Sequence, residues 1–154
     1  MRWAVVALLL VAGCGDPVQQ SDATRWTPSS IPGGPQWTAR VEVDRGTGAV
    51  SAPGFNALID AERPGWAQAA DTTIAELLDL HQGVEGPGEV YLLQDDPHYT
   101  VTLTRLGDDS IQAIRYRITL WRGDDGRFRF VEGAWSQRCH SGRGHQDFTT
   151  ARCS

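Results

Sequence analysis

From Glu89 to Cys139 apolar and polar side chains alternate almost without a break, and that alternation restricts the fold more than any other feature of the chain. A period of two belongs to strands with one face buried. Glu89 to Leu93, Thr100 to Leu106, Ser110 to Trp121 and Arg127 to about Cys139 read as four strands joined by short turns, the pattern of an antiparallel meander. On the third of them Ile114, Tyr116, Ile118 and Leu120 form the apolar face, and on the fourth Phe128 and Phe130 do. Pairing Leu120 with Phe128 and Ile118 with Phe130 puts all four on one side. It leaves Gly123-Asp124-Asp125 as the loop, with Gly126 free to take positive φ. A slip of one residue would set Leu120 against Arg129 and carry charge into the core.

Upstream, Trp37, Ala39, Val41 and Val43 alternate with Thr38, Arg40, Glu42 and Asp44, which predicts a further strand ended by a turn at Arg45 to Gly48. Two helices follow. Phe55, Leu58 and Ile59 stand at helical spacing and stop before Pro64, which would clash with a continuing helix. Thr73-Ile74-Ala75-Glu76 has the form of a capping box, with Ile74, Leu77, Leu78 and His81 on one stripe behind it. Strand, helices and four antiparallel strands together predict an α+β domain, its helices packed on one face of a bent antiparallel sheet. The pattern over residues 36 to 138 resembles the cystatin-like and NTF2-like group, in which a bent sheet wraps a helix. Folds of that kind host enzymes, carriers, inhibitors and scaffolds, so the resemblance implies an architecture and no activity.

The N-terminus reads differently. Arg2 precedes an unbroken apolar run from Trp3 to Ala12, then Gly13 and Cys14, the layout of a signal peptide. The run is half of the roughly 20 residues that a membrane-crossing helix needs. Val11-Ala12-Gly13-Cys14 resembles the bacterial lipobox, which implies a signal peptide over 1–13, cleavage before Cys14 and lipid on its sulfur. Two acyl chains, at about 0.8 kcal/mol per buried methylene, would hold the chain to a cell membrane on the extracytoplasmic side without a protein span. Residues 14–35 are rich in Gly, Pro, Ser, Thr, Asp and Gln and read as a flexible tether, leaving 36–154 as a single domain.

The cysteine count agrees with export. With Cys14 lipidated, Cys139 and Cys153 remain as an even pair, and in an oxidising compartment they are expected to form one disulfide. Closing a loop of about 15 residues restricts the unfolded chain by roughly 3 kcal/mol. The competing use as a metal pair lacks the close CxxC spacing of zinc sites. All 14 basic residues are arginine, a usage that suggests a GC-rich genome of the actinobacterial kind. Net charge is −5, unevenly spread: residues 14 to 104 hold 13 acidic residues and 4 arginines, and residues 105 to 154 hold 6 and 9. Such a split marks either an anionic partner for the C-terminal half or two halves that pair within the fold.

Two groups of residues carry the candidate chemistry. Strand parity places Arg115, Arg117, Thr119 and Trp121 on the face opposite the core, together with Arg127 and Arg129, where guanidinium forks and an indole suit an anionic surface. The alternative is a solvated face balanced by Asp108, Asp109, Asp124 and Asp125. The second group is His140, Arg143, His145 and Asp147 inside the predicted disulfide loop. Two histidines and an aspartate so close offer metal binding or acid–base work, or a purely structural turn with Phe148 plugging the core. The Cys-flanked Gly-Arg-Gly-His-Gln-Asp-Phe segment is similar to the tails of actinobacterial secreted lipoproteins, a resemblance that carries no catalytic residue with it. Asp124-Asp125-Gly126 has too few oxygen donors for a calcium loop, and no HExxH, phosphate-cradling glycine loop or GxSxG elbow is present. Neither a cofactor nor a resident metal is expected, and enzymatic activity is unsupported. The expected role is a membrane-anchored binding or adaptor protein for an envelope protein or an anionic envelope polymer; an acidic exported chain excludes nucleic acid. Two rivals are a small-ligand carrier with a cavity lined by Trp66, Leu77, Tyr116 and Phe130, and an enzyme built on the His140 to Asp147 loop.

Overall fold

The computed structural model describes residues 23–28, 34–80 and 88–154. The signal segment, Cys14 and His81 lie outside them. The architecture is α+β: strands β1 (Thr24–Trp26), β2 (Glu42–Val43) and β3 (Ala49–Ser51), helices α1 (Phe55–Glu62) and α2 (Ala70–Leu77), then strands β4 (Glu89–Asp95), β5 (His98–Thr104), β6 (Ile111–Arg122) and β7 (Phe128–Cys139). The seven strands form one sheet in the order β1-β4-β5-β6-β7-β3-β2, every pairing antiparallel. The meander read from the sequence is therefore present, flanked by three short strands.

Helix α1 follows Gly54 and buries Phe55 and Ile59. Arg63, at φ 49°, ends it by donating its N–H to the Ile59 carbonyl, and Pro64 blocks continuation. A single 3-10 turn, Gly65–Gln68, sinks Trp66 between the helices, its ring 5.6 Å from that of Phe55. Helix α2 begins three residues before the expected capping box. Thr73 is mid-helix, fully buried, and bonds back to the Ala69 carbonyl at 2.7 Å, while the Glu76 carboxylate takes the backbone N–H of Trp37. The box fails because the helix already starts at Ala70, a strong helix former, Asp71 sits in the positively polarised first turn, and Thr73 and Glu76 face the protein interior.

The predicted first strand is only Glu42–Val43, and Trp37 instead stands edge-on to Phe55 of α1 at 5.1 Å. Conversely, Thr24–Trp26, read as tether, pairs with Leu92, Tyr91 and Val90 of β4, and Trp26 packs against the core. Three residues are too few for a period to show.

Between β6 and β7 the register differs from expectation by two residues. Leu120 faces Phe130 and Arg122 faces Phe128, closed by a turn in which Gly123 N–H bonds Arg127 O at 2.9 Å and Gly126 adopts φ 76°. A two-residue shift keeps Leu120, Phe128 and Phe130 on their expected face, since side chains alternate with period two. Val131 is an extra residue between the Thr119–Glu132 and Leu120–Phe130 pairs, a bulge that reverses parity along the rest of β7. Inward positions thereafter are Gly133, Trp135, Gln137 and Cys139. The core lies between the helices and this face, around Phe55, Ile59, Trp66, Ile74, Leu77, Val101, Ile118 and Leu120. Trp66 and Leu77 are 2% and 1% exposed and belong to that packed cluster, with Tyr116 and Phe130 packed against it.

Candidate anion-binding face

With the helices on one face of the sheet, the other is left to solvent and to the C-terminal tail. Cross-strand pairing builds it in rows: Thr102, Arg115 and Ser136; Thr100, Arg117 and Ala134; His98, Thr119 and Glu132; then Trp121 with Arg129. The tail covers one end. Beyond β7 the chain turns at 141–142, returns to pair Thr149 with Gln137, and is closed by the Cys139–Cys153 disulfide, with Ser154 N–H on the Arg143 carbonyl at 2.8 Å. The expected disulfide is thus present.

This return path places Phe148 on the solvent side of the sheet, where a core plug had been expected. The Arg115 guanidinium lies 3.7 Å from its ring centroid and that of Arg138 5.1 Å away. The ring face attracts cations, so one phenyl ring gathers two of them. Arg117 stands beside Arg115, and together with burial and Arg138 it lowers the Arg115 pKa; burial is the largest cause. Among the described residues none of these three guanidinium groups is paired with a carboxylate. The Nε atoms of Arg115 and Arg138 are buried with no hydrogen-bond partner. Arg117 is exposed and lines a shallow cleft of about 360 Å³ with His98, Thr100, Thr119, Glu132 and Ala134. His98 Nδ1 and Thr119 Oγ1 are 3.2 Å apart on its wall.

Arg127 and Arg129 are used elsewhere. Arg127 belongs to the turn, donating to the Arg63 carbonyl at 3.1 Å and pairing with Asp125 at 3.6 Å. Arg129 forks onto both oxygens of Asp125, at 3.0 and 3.1 Å, and pairs with Asp60 of α1 at 2.7 Å. The Arg129 fork holds the Asp125 carboxyl well below the usual carboxylate range, and the two carboxylates raise Arg129 in turn. These contacts clamp the β6–β7 turn to the first helix. They leave Trp121, 56% exposed and with the Arg129 guanidinium 5.8 Å from its ring, at the open end of the face.

The tail residues do not assemble an acid–base pair. His140 is exposed and donates its backbone N–H to Ser110 O; Arg143 pairs with Asp109 at 3.1 Å. Both ring nitrogens of His145 face backbone carbonyls, Asp147 O at 2.9 Å and Ala151 O at 2.8 Å. The Asp147 carboxylate has no role in that arrangement. Of the residues singled out from sequence, the fold therefore gathers Arg115 and Arg117, places Trp121 on the same face, and commits Arg127, Arg129 and Arg143 to ion pairs. Arg138 and Phe148 complete the cluster. Neither was legible as a site residue, because the bulge and the path of the tail decide where they point.

No protein family, curated protein or solved structure matches the chain. Among the described residues, no helix is long and apolar enough to cross a membrane.

Proposed function

We propose that this chain is a binding protein of the cell envelope, held at the extracytoplasmic face of the membrane by lipid on Cys14, which engages an anionic partner through the outer sheet face. The convergence of Arg115, Arg117 and Arg138, none of them ion-paired to a carboxylate among the described residues, carries this reading. Like charges brought together on one face repel, and an arriving phosphate, sulfate or carboxylate offsets that repulsion. Planar guanidinium forks suit bidentate recognition of such groups, and Trp121 offers a flat ring for a sugar or aliphatic surface. An anionic envelope polymer fits a face that runs along β6 from Arg115 to Trp121. The one-sided packing of helices on the sheet supports the cystatin-like or NTF2-like arrangement within the same reading. Lipidation rests on the Val11-Ala12-Gly13-Cys14 motif.

Retention on a sulfated polysaccharide matrix tests the surface. An Arg115→Glu/Arg117→Glu double variant should bind at least about tenfold more weakly, since each charge-assisted contact contributes about 1.5–3 kcal/mol. Equal retention of a folded double variant would overturn the assignment of this face. Membrane fractionation tests the anchor separately: Cys14→Ser should move the chain to the soluble fraction, and its continued sedimentation with membranes would remove the lipidation reading.

A further inference from the structure

One cluster is untouched by the arginine face. The sulfur atoms of Cys139 and Cys153 and a ring nitrogen of His145 all lie within 4.8 Å of one another. In the disulfide form the sulfurs are bonded to each other and offer no ligand charge. We propose that reduction of Cys139–Cys153 converts this cluster into a two-cysteine, one-histidine site for a thiophilic divalent cation, zinc in the first instance.

The reason is that the donors are held together by contacts other than the S–S bond. Cys139 N–H donates to the His145 carbonyl at 3.0 Å, which ties the histidine backbone to the first cysteine. Gly144, at φ 137°, lies so close that a Cβ there would stand 2.9 Å from Cys139 Sγ, so the loop is seated on that sulfur. On the other side the Ala151 carbonyl, two residues before Cys153, accepts from the buried Gln137 Nε2 at 2.7 Å and lies 2.8 Å from His145 Nε2. Thr149 exchanges two backbone hydrogen bonds with Gln137, and Ser154 N–H bonds Arg143 O. These bonds bracket both cysteines, so breaking the disulfide leaves them near each other and near the imidazole.

The chemistry balances with a dithiol as reductant. Its two sulfhydryls donate two electrons and two protons, yielding the free thiols of Cys139 and Cys153 and the cyclic disulfide of the reductant. Metal binding then displaces the two thiol protons, and neutral His145 turns its unprotonated ring nitrogen from the carbonyl it faces to the metal while the other nitrogen keeps its proton and donates to the remaining carbonyl. Two thiolates and an imidazole are the donor set zinc favours, with a fourth position left for water or substrate. The spacing of 14 residues between the cysteines lacks a CxxC signature; the folded tail, not the spacing, brings the ligands together.

The test uses the full chain carrying Cys14→Ser, so that only two thiols remain, titrated with zinc against a chromophoric chelator before and after reduction by a phosphine. The reduced chain should take up one zinc at least about tenfold more tightly than the oxidised chain, and loss of the ligand in His145→Ala should weaken that uptake by at least about 10–100-fold, the range already seen for loss of a group that only supports a ligand. Cobalt in place of zinc should give the absorption of a tetrahedral thiolate complex, weakened in the same variant. If the reduced chain binds zinc no more tightly than the oxidised one, the proposal is wrong. If it unfolds and binds through its thiols alone, His145→Ala will change nothing, and that result overturns it equally.

Discussion

Asn56 stands on α1 with its side-chain amide against the backbone of Phe130: Nδ2 donates to the Phe130 carbonyl at 2.7 Å and Oδ1 accepts the Phe130 N–H at 2.9 Å. Strand β3 pairs with β7 only at Ala134 and Gly133, so Phe130 lies beyond the end of its neighbour. The amide takes the place of the missing strand and joins helix to sheet. Asn56→Ala would leave a half-buried donor and a half-buried acceptor together without partners. At the low end of about 1–3 kcal/mol for each stranded group, the loss is about 2–3 kcal/mol. For a domain of this size that corresponds to a fall in Tm of roughly 8–12 °C. Denaturant unfolding followed by circular dichroism measures it. Asn56→Asp sharpens the test, because a carboxylate keeps the acceptor but turns a second negative oxygen onto the Phe130 carbonyl. The folded state then favours the protonated acid, whose folded pKa rises above the ordinary value near 3.9. Its stabilising contribution is present below that value and is lost as pH rises through the folded pKa, so the deficit against the parent should be large at neutral pH and shrink in acid. A cost below about 0.5 kcal/mol for the alanine variant, within the range of an ordinary surface change, would refute the surrogate-strand argument. So would an aspartate variant whose deficit ignores pH.

Two further outcomes rest on shifted groups. Tyr99, buried in the sheet and donating its hydroxyl to Asp96 at 3.2 Å, has its pKa pushed up from 10.0 to about 12 by burial first and by the Asp96 charge second. Its contribution to stability is complete below 10.0 and lost as pH rises through about 12. Ultraviolet difference titration should show the highest-titrating tyrosine vanish in Tyr99→Phe, and a parent profile unchanged by that substitution would contradict the burial argument. Asp125 has the opposite sign: the Arg129 fork lowers its pKa from 3.8, so its contribution is present above 3.8 and lost as pH falls below it. The stability gap between the parent and Asp125→Asn should therefore be level at neutral pH and close in strong acid; a gap that stays constant through acid would separate the clamp from the ionised carboxylate.

The strands β4 to β7 were legible because each is long enough for its alternation to repeat, and the inward faces up to the bulge at Val131 follow from it. What the period could not show is where alternation is interrupted or who completes a partner. Thr24–Trp26 is only as long as the contact it makes, so nothing local distinguishes it from tether. Thr73 and Glu76 carry the letters of a helix start, yet both are buried in the middle of α2, where Glu76 holds the backbone of Trp37 from far upstream. Arg127 and Arg129 read as free cations beside Arg117 until α1 brings Asp60 and the Arg63 carbonyl to them. The uneven charge of the sequence resolves along the same lines. Asp60 and Glu89 from the acidic half pair with Arg129 and Arg105 from the basic half, while Arg115 and Arg138, which form no ion pair among the described residues, converge on Phe148.

That remainder depends on one residue. Counting inward from Phe128 and Phe130, uninterrupted alternation would send residue 138 toward the core and residue 137 outward. The extra Val131 reverses the order, so Gln137 turns in, 2% exposed, to hold the Ala151 carbonyl, and Arg138 turns out to meet Phe148. Gln137 thereby anchors the tail at the position from which Phe148 reaches the outer face. The bulge, which a slip in register would erase, thus places the third arginine and fastens the segment that gathers it.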